Sequence, residues 1–129
     1  MLKENRVKPQ LNIFGRSILP CSTNPMTGFF RDGCCNTDSS DFGSHTVCAE
    51  ITEKFLTFSK NIGNDLSTPR PEFGFEGLKP GDRWCLCASR WLQAEKEGYA
   101  PKVFGESTNY LALSIIPENI LKKYLIRVN

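Results

Sequence analysis

Cysteines are the residues of this chain whose type and spacing most suggest chemistry. The 129 residues include six cysteines, with Cys34 and Cys35 adjacent in TGFFRDGCCNT, and Cys85 and Cys87 one residue apart in GDRWCLCASRW. A thiolate can attack an electrophile or bind a metal ion, and a nearby positive charge favours that ionised form. On a strand over 83–88, Arg83 and both thiols would share one face, so this face is a candidate reactive site.

The same cysteines have a plainer interpretation as small apolar residues of the core. Strands covered on both faces have continuous apolar runs, and cysteine is among the residue types most often buried. We favour burial over reactivity for the WCLC segment, because inert buried cysteines are common.

The single histidine is a second candidate, since histidine is the side-chain type that changes charge near neutral pH. His45 stands where the segment DFGS leads into a predicted strand. A cysteine–histidine pair would be a coherent nucleophile and base. The catalytic candidates are therefore Cys34, Cys35, His45 and Cys85. A histidine that only forms a structural hydrogen bond is the slightly favoured alternative.

Arginines near the cysteine pairs indicate an anionic ligand. An Arg-Asp pair precedes the first cysteine pair and an Asp-Arg pair precedes the second, while another arginine stands between two prolines that stiffen its backbone. The guanidinium group binds carboxylates and phosphates in a two-pronged geometry. The candidate ligand-binding residues are Arg31, Asp32, Arg70 and Arg83, with weak surface ion pairs as the alternative.

Zinc is a further alternative that uses the same residue types. Its ligands would come from the cysteines and the histidine: Cys21, Cys34, Cys35, His45, Cys48, Cys85 and Cys87. The chain has no C-x-x-C pair, so the spacing is a weak zinc signal, and we predict no cofactor. The N-terminus lacks the apolar stretch of an export signal, so we predict a cytoplasmic protein with free thiols rather than disulfides.

Composition excludes several classes of function. The net charge is +2, which is too small to indicate binding to nucleic acid, and no apolar run is long enough for a membrane span. Glycine-rich phosphate loops and the usual hydrolase motifs are missing from the sequence. We therefore expect neither nucleic acid nor membrane as a partner, and leave enzymatic activity undecided.

The periodicity predicts an α+β fold in one compact domain over 11–129, preceded by a flexible arm over 1–10. The clearest helix is TEKFLTFSKNIG, with Thr52 as the N-cap and Gly63 as the stop. Further predicted helices cover 90–97 and 117–124. The predicted strands cover 11–15, 45–51, 83–88, 102–107 and 110–116, in a small mixed or antiparallel sheet.

Two long segments, 20–43 and 64–82, are rich in proline, glycine and small polar residues, and they lack sustained periodicity. Their aromatic residues argue against disorder, since disordered segments contain few aromatics. We predict two ordered loops, with Phe29, Phe30 and Phe42 as apolar anchors of the first, and we expect the two loops to pack together. Long ordered loops are often functional.

The strings TGFFRDGCCNT, GSHTVCA, NDLSTPRPEFGF and GDRWCLCA resemble those of a small, mostly bacterial family known as a domain of unknown function. The resemblance covers about residues 11–124. It implies a compact α+β domain and supplies no catalytic residue. The family pattern usually has aspartate where this chain has Asn24, which weakens any mechanism that needs a carboxylate there.

Three functions follow from these residues. The first is a thiol-dependent or anionic-ligand-binding site formed by loops 20–43 and 64–82 and strand 83–88. The second is a non-catalytic ligand-binding or interaction module whose cysteines are buried in the core. The third is a domain stabilised by zinc.

Overall fold

The computed structural model describes residues 10–126, which form a compact α+β domain as predicted. Its strands and α-helices are β1 (His45–Glu50), α1 (Glu53–Asn61), β2 (Arg83–Cys87), α2 (Ala88–Lys96) and α3 (Glu118–Leu121). Short 3₁₀ turns cover Pro71–Phe73, Gly105–Ser107, Tyr110–Ser114 and Lys122–Tyr124. Residues 1–9 of the predicted arm lie outside the described residues.

The two strands pair antiparallel, although α1 and loop 64–82 separate them in sequence. Cys48 faces Cys85 across the pair, and Ala49 faces Trp84. Trp84 and Leu86 pack into the main hydrophobic core, whereas Cys48 and Cys85 belong to a second buried cluster. The side chains of β2 therefore alternate between two faces as predicted, but each face is buried in one of the two clusters.

Helix α1 forms where the sequence predicts it. The Thr52 side chain accepts a hydrogen bond from the Phe55 amide at 3.1 Å, which caps the first turn. Phe55 and Leu56 are buried, and Gly63 follows the helix with a φ of 91°. Helix α2 begins two residues earlier than predicted, and its fully buried Trp91 donates to the carbonyl of Pro101.

Three predicted strands are wrong. The segment 11–15 is a turn, because the Asn12 side chain accepts from the amides of Phe14 and Arg16. The segment 110–116 begins as a 3₁₀ turn capped by the Asn109 side chain. In 102–107, Val103 makes only isolated bridges, and a 3₁₀ turn follows. Side-chain hydrogen bonds to the local backbone compete with sheet pairing at these positions.

The two long loops are ordered, but the predicted aromatic anchors of loop 20–43 are not buried. Phe29 is 39% exposed, Phe30 42% and Phe42 95%, so none of the three side chains is a core residue. In loop 64–82, the Asp65 carboxylate accepts bonds from the amides and hydroxyls of Ser67 and Thr68, which hold the pKa of Asp65 well below its usual range. No helix in residues 10–126 is long and apolar enough to cross a membrane.

Candidate functional site

Two disulfides join loop 20–43 to the sheet, and this corrects the prediction of free thiols. Cys21 is bonded to Cys48 of β1, and Cys35 is bonded to Cys85 of β2. All four residues are at most 4% exposed, and we call them the sulfur cluster. The loop covers the face of the sheet that carries these cysteines, so Cys35 and Cys85 are not available as nucleophiles in this state.

Cys34 and Cys87 remain as thiols, and both are partly exposed. Burial, together with the negative charge of Asp32, raises the pKa of the Cys34 thiol. A raised pKa favours the neutral form, which is the opposite of what a nucleophilic cysteine needs. The Cys87 sulfur lies 3.3 Å from the hydroxyl of Ser89 at the end of β2.

Arg83 shares the cysteine face of β2, as the alternation predicts, but its contact is with an aromatic ring. Its guanidinium carbon lies 3.9 Å from the ring centroid of Phe104, and Phe104 packs against the sulfur cluster. This contact is a cation–π interaction rather than activation of a thiolate.

His45 is held in place by a buried carboxylate four residues earlier. The Nδ1 atom lies 2.7 Å from Oδ1 of Asp41, and the His45 amide donates to Oδ2 at 2.9 Å. An ionised carboxylate only accepts hydrogen bonds, so Nδ1 carries a proton. Nε2 is then the nitrogen available to a ligand.

The ionised state of Asp41 is stabilised by its hydrogen bonds. Burial by itself would raise the pKa of Asp41, but bonds from the side chain and amide of His45 and from the Thr37 hydroxyl outweigh it. The pKa is therefore below its usual range, and Asp41 is a fixed negative charge near neutral pH.

Ring contacts and chain geometry further restrict His45. Its ring stacks on Phe29, with centroids 6.2 Å apart and planes inclined by 18°. A Cβ added at Gly43 would lie 2.8 Å from Cε1 of the imidazole, so a side chain at this position would displace the ring. The contacts with Asp41, Phe29 and Gly43 together define the orientation of the imidazole.

A cavity of about 250 Å³ lies beside this histidine. Its lining residues are Thr27, Gly28, Phe29, Arg31, His45, Leu66, Trp84 and Cys85. A neighbouring cavity of about 260 Å³ shares Arg31 and Trp84 and is completed by residues 24–26 and 73–76. We call the two cavities together the Arg31 cleft. Both long loops and β2 contribute to its walls.

Arg31 is presented to the cleft by a tight turn. Its φ is 54°, its amide donates to the Gly28 carbonyl at 3.0 Å, and its guanidinium carbon lies 5.3 Å from the centroid of Trp84. The Asp32 carboxylate accepts a hydrogen bond from the Cys34 amide, and this bond completes the turn. The disulfide at Cys35 then joins this turn to β2.

The structure brings some predicted site residues together and separates others. Arg31, His45 and Cys85 line one cavity, although Cys85 does so as half of a disulfide. The predicted candidates outside the lining of the cleft are Asp32, Cys34, Cys35, Arg70 and Arg83.

Three important residues of the site are not identified by the sequence pattern. Trp84 and Asp41 are not singled out there, and Phe29 is predicted only as an anchor. The available signal for Asp41 is a carboxylate four residues before the only histidine, across a glycine, in DFGSH.

Comparison with known families gives one match. The profile of a family described as "Uncharacterized protein conserved in bacteria (DUF2237)" matches residues 11–125, in agreement with the resemblance of the cysteine-containing strings. A search of curated proteins finds no relative that matches the chain.

Proposed function

The chain belongs to the DUF2237 family of uncharacterised bacterial proteins, and we propose that it binds a small organic anion in the Arg31 cleft. The ligand has a carboxylate or phosphate group attached to a flat apolar part. The observation that carries this proposal is that Arg31 and His45 line one cavity with aromatic walls.

Charge in the cavity favours an anion. None of the eight residues lining the cavity beside His45 is acidic, and within residues 10–126 no carboxylate lies within 4.0 Å of the Arg31 guanidinium. One guanidinium nitrogen of Arg31 donates a long hydrogen bond of 3.4 Å to the Met26 carbonyl, so most of its donors can still be given to a ligand. Charge-assisted hydrogen bonds of this kind are stronger than neutral ones.

The second cavity differs in charge, because Glu76 is among its lining residues. A carboxylate there would repel the anionic end of a ligand. The proposed ligand therefore places its charged group on the His45 side of Arg31. Its remaining part can extend past Trp84 toward loop 64–82.

Exposed apolar side chains around the cleft suit the flat part of the ligand. Met26 is 45% exposed, Phe29 39% and Phe73 77%, and all three line one or the other cavity. Pockets that bind small molecules are mostly apolar with a few well-placed polar groups. The exposed rings of Phe29 and Phe73 are surfaces on which a planar group can stack.

Binding is favoured over thiol chemistry by the state of the cysteines. Cys35 and Cys85 are joined to each other, and the surroundings of Cys34 favour its neutral thiol. Arg31 and His45 can still bind a ligand when the disulfides are formed, because neither side chain needs a free thiol to do so.

Titration with benzoate, followed by amide and indole signals in ¹H–¹⁵N NMR spectra, tests the proposal. Benzoate has a carboxylate on a flat apolar ring, and inorganic phosphate serves as a second probe without that ring. We expect saturable shifts at Gly28, His45 and the Trp84 indole, with benzoate binding more tightly than phosphate. Sodium chloride at equal ionic strength is the control. Shifts that do not saturate, or that match those of the salt control, would contradict the proposal.

A further inference from the structure

We propose that the sulfur cluster has a second, reduced state in which Cys21, Cys35, Cys48 and Cys85 bind one zinc ion as four thiolates. This site shares Cys85 with the wall of the Arg31 cleft, but the inference does not rest on the proposed anion binding. It would stabilise the fold in a reducing environment, where disulfides do not persist.

The four sulfurs are already close to one another. Those of Cys21, Cys35 and Cys85 lie within 4.8 Å of one another, and that of Cys48 is bonded to Cys21. Zinc–sulfur bonds of about 2.3 Å in a tetrahedron place sulfurs about 3.8 Å apart. Small rotations of the side chains after reduction would therefore open the paired sulfurs to the spacing that zinc requires.

The backbone beneath the cluster is held by contacts that do not involve sulfur. The Cys48 amide donates to the Thr108 hydroxyl at 3.1 Å, and the Cys85 amide donates to the Thr27 hydroxyl at 2.9 Å. The Cys21 amide donates to the Gly33 carbonyl at 2.7 Å. The Cys35 carbonyl accepts from the Asn109 side chain at 3.1 Å. None of these four bonds depends on sulfur, so we expect them to keep the four cysteines together when the disulfides are broken.

The donor set and the burial fit zinc. Four cysteine sulfurs in a closed, tetrahedral arrangement are typical of structural zinc sites and leave no open position for a substrate. Ile18 and Phe104 pack over the cluster. Cys85 forms part of the wall of the cavity beside His45, and we take this cavity as the entry for reductant and ion.

The conversion from the oxidised to the zinc-bound state takes a reduction and then a loss of protons. Each disulfide takes two electrons from a phosphine, which becomes a phosphine oxide with oxygen from water, and two thiols form. The four thiols then lose four protons when a divalent ion binds. The oxidised and zinc-bound states exclude each other, because the same four sulfurs form both sets of bonds.

The double variant Cys34→Ser/Cys87→Ser provides the test, because only the four cluster cysteines remain in it. The protein is reduced anaerobically with tris(2-carboxyethyl)phosphine, freed of reductant, and titrated with Co²⁺, whose absorption reports tetrahedral sulfur ligands. We expect one equivalent of Co²⁺ with a four-thiolate spectrum, displaced by Zn²⁺. The oxidised double variant should bind none at this site.

Several results would overturn the inference. One is a reduced double variant that binds no cobalt saturably, and another is a spectrum with fewer than four sulfur ligands. A reduced protein that stays unfolded by circular dichroism after metal addition would count equally against it. As a further check, Cys21→Ser in the same background should weaken Co²⁺ binding at least tenfold, and unchanged binding would refute its place in the ligand set.

Discussion

At the scale of single residues, Asp41 decides how the site is organised. Its fully buried carboxylate accepts three hydrogen bonds, from the ring and the amide of His45 and from the hydroxyl of Thr37. One side chain thus closes the segment 37–45 and fixes the proton on Nδ1 of the histidine. The orientation of His45 in the Arg31 cleft therefore depends on a residue outside the lining of the cleft.

We predict that Asp41→Asn lowers the free energy of unfolding by about 1–3 kcal/mol at neutral pH, because an amide cannot accept all three bonds. The folded-state pKa of Asp41 is lowered, so its contribution is present above about pH 4 and is lost as the pH falls through the folded-state value. The difference between wild type and variant should therefore shrink in acid. Urea denaturation at neutral pH and near pH 3 measures both values.

Asp38→Asn is the matched control, since Asp38 lies in the same loop but is exposed and bonds only within its own turn. It should change stability far less than Asp41→Asn at neutral pH. Equal effects of the two variants, or a difference for Asp41→Asn that does not change with pH, would contradict the assigned role.

The cysteines illustrate what residue-level reasoning can and cannot predict. Alternation along β2 correctly separates Trp84 and Leu86 from Cys85. It cannot predict that Cys35, fifty positions away in sequence, closes over that face. Disulfide pairing depends on where a loop without periodicity lies, and local sequence carries no signal for that.

At the scale of elements, the turn that presents Arg31 is the most constrained part of loop 20–43. Gly28 has a φ of 101°, and a Cβ added there would collide with the carbonyl oxygen of Cys34. Gly33, with a φ of 85°, closes the same turn and donates its amide to the Thr27 carbonyl at 3.0 Å. Glycine at these positions is a steric requirement rather than a preference.

We predict that Gly28→Ala lowers the free energy of unfolding by about 3 kcal/mol or more, which combines the cost of a positive φ with that of steric overlap. The control is Gly15→Ala, where φ is 80° but nothing lies within 4 Å of the added Cβ. It should cost only about 1–2 kcal/mol, from the backbone conformation alone. Denaturant unfolding of both variants gives the comparison, and equal losses would contradict the steric argument.

Elements with strong local signals are predictable here, and those fixed by tertiary contacts are not. Helix α1 has an N-cap, a periodic apolar face and a glycine stop, and it is found where these signals indicate. The segment 110–116 has strand-like residues, but the Asn109 side chain caps a 3₁₀ turn and Ile116 is buried in the core. Propensity is a weak guide where a single side-chain bond redirects the backbone.

At the scale of the whole molecule, the Arg31 cleft is formed by segments far apart in sequence. Residues of loops 20–43 and 64–82 line it together with Trp84 and Cys85 of β2 and His45 of β1. The sequence indicates the two loops and β2 with their arginines, but it does not show which arginine enters the cleft. Arg31 lines it, whereas Arg70 and Arg83 lie outside its lining. Only the arrangement of the loops on the sheet makes this distinction.

Binding of an anion at Arg31 can be measured as the dissociation constant of benzoate, by NMR titration of wild type, Arg31→Gln and Arg83→Gln. A charge-assisted hydrogen bond contributes about 1.5–3 kcal/mol, so Arg31→Gln should weaken binding about tenfold or more. Arg83→Gln removes the same charge from the ring of Phe104, outside the cleft, and should leave the constant within about twofold, which is under 0.5 kcal/mol. Equal weakening by both variants would mean that net charge rather than the cleft attracts the anion, and would refute a binding site at Arg31.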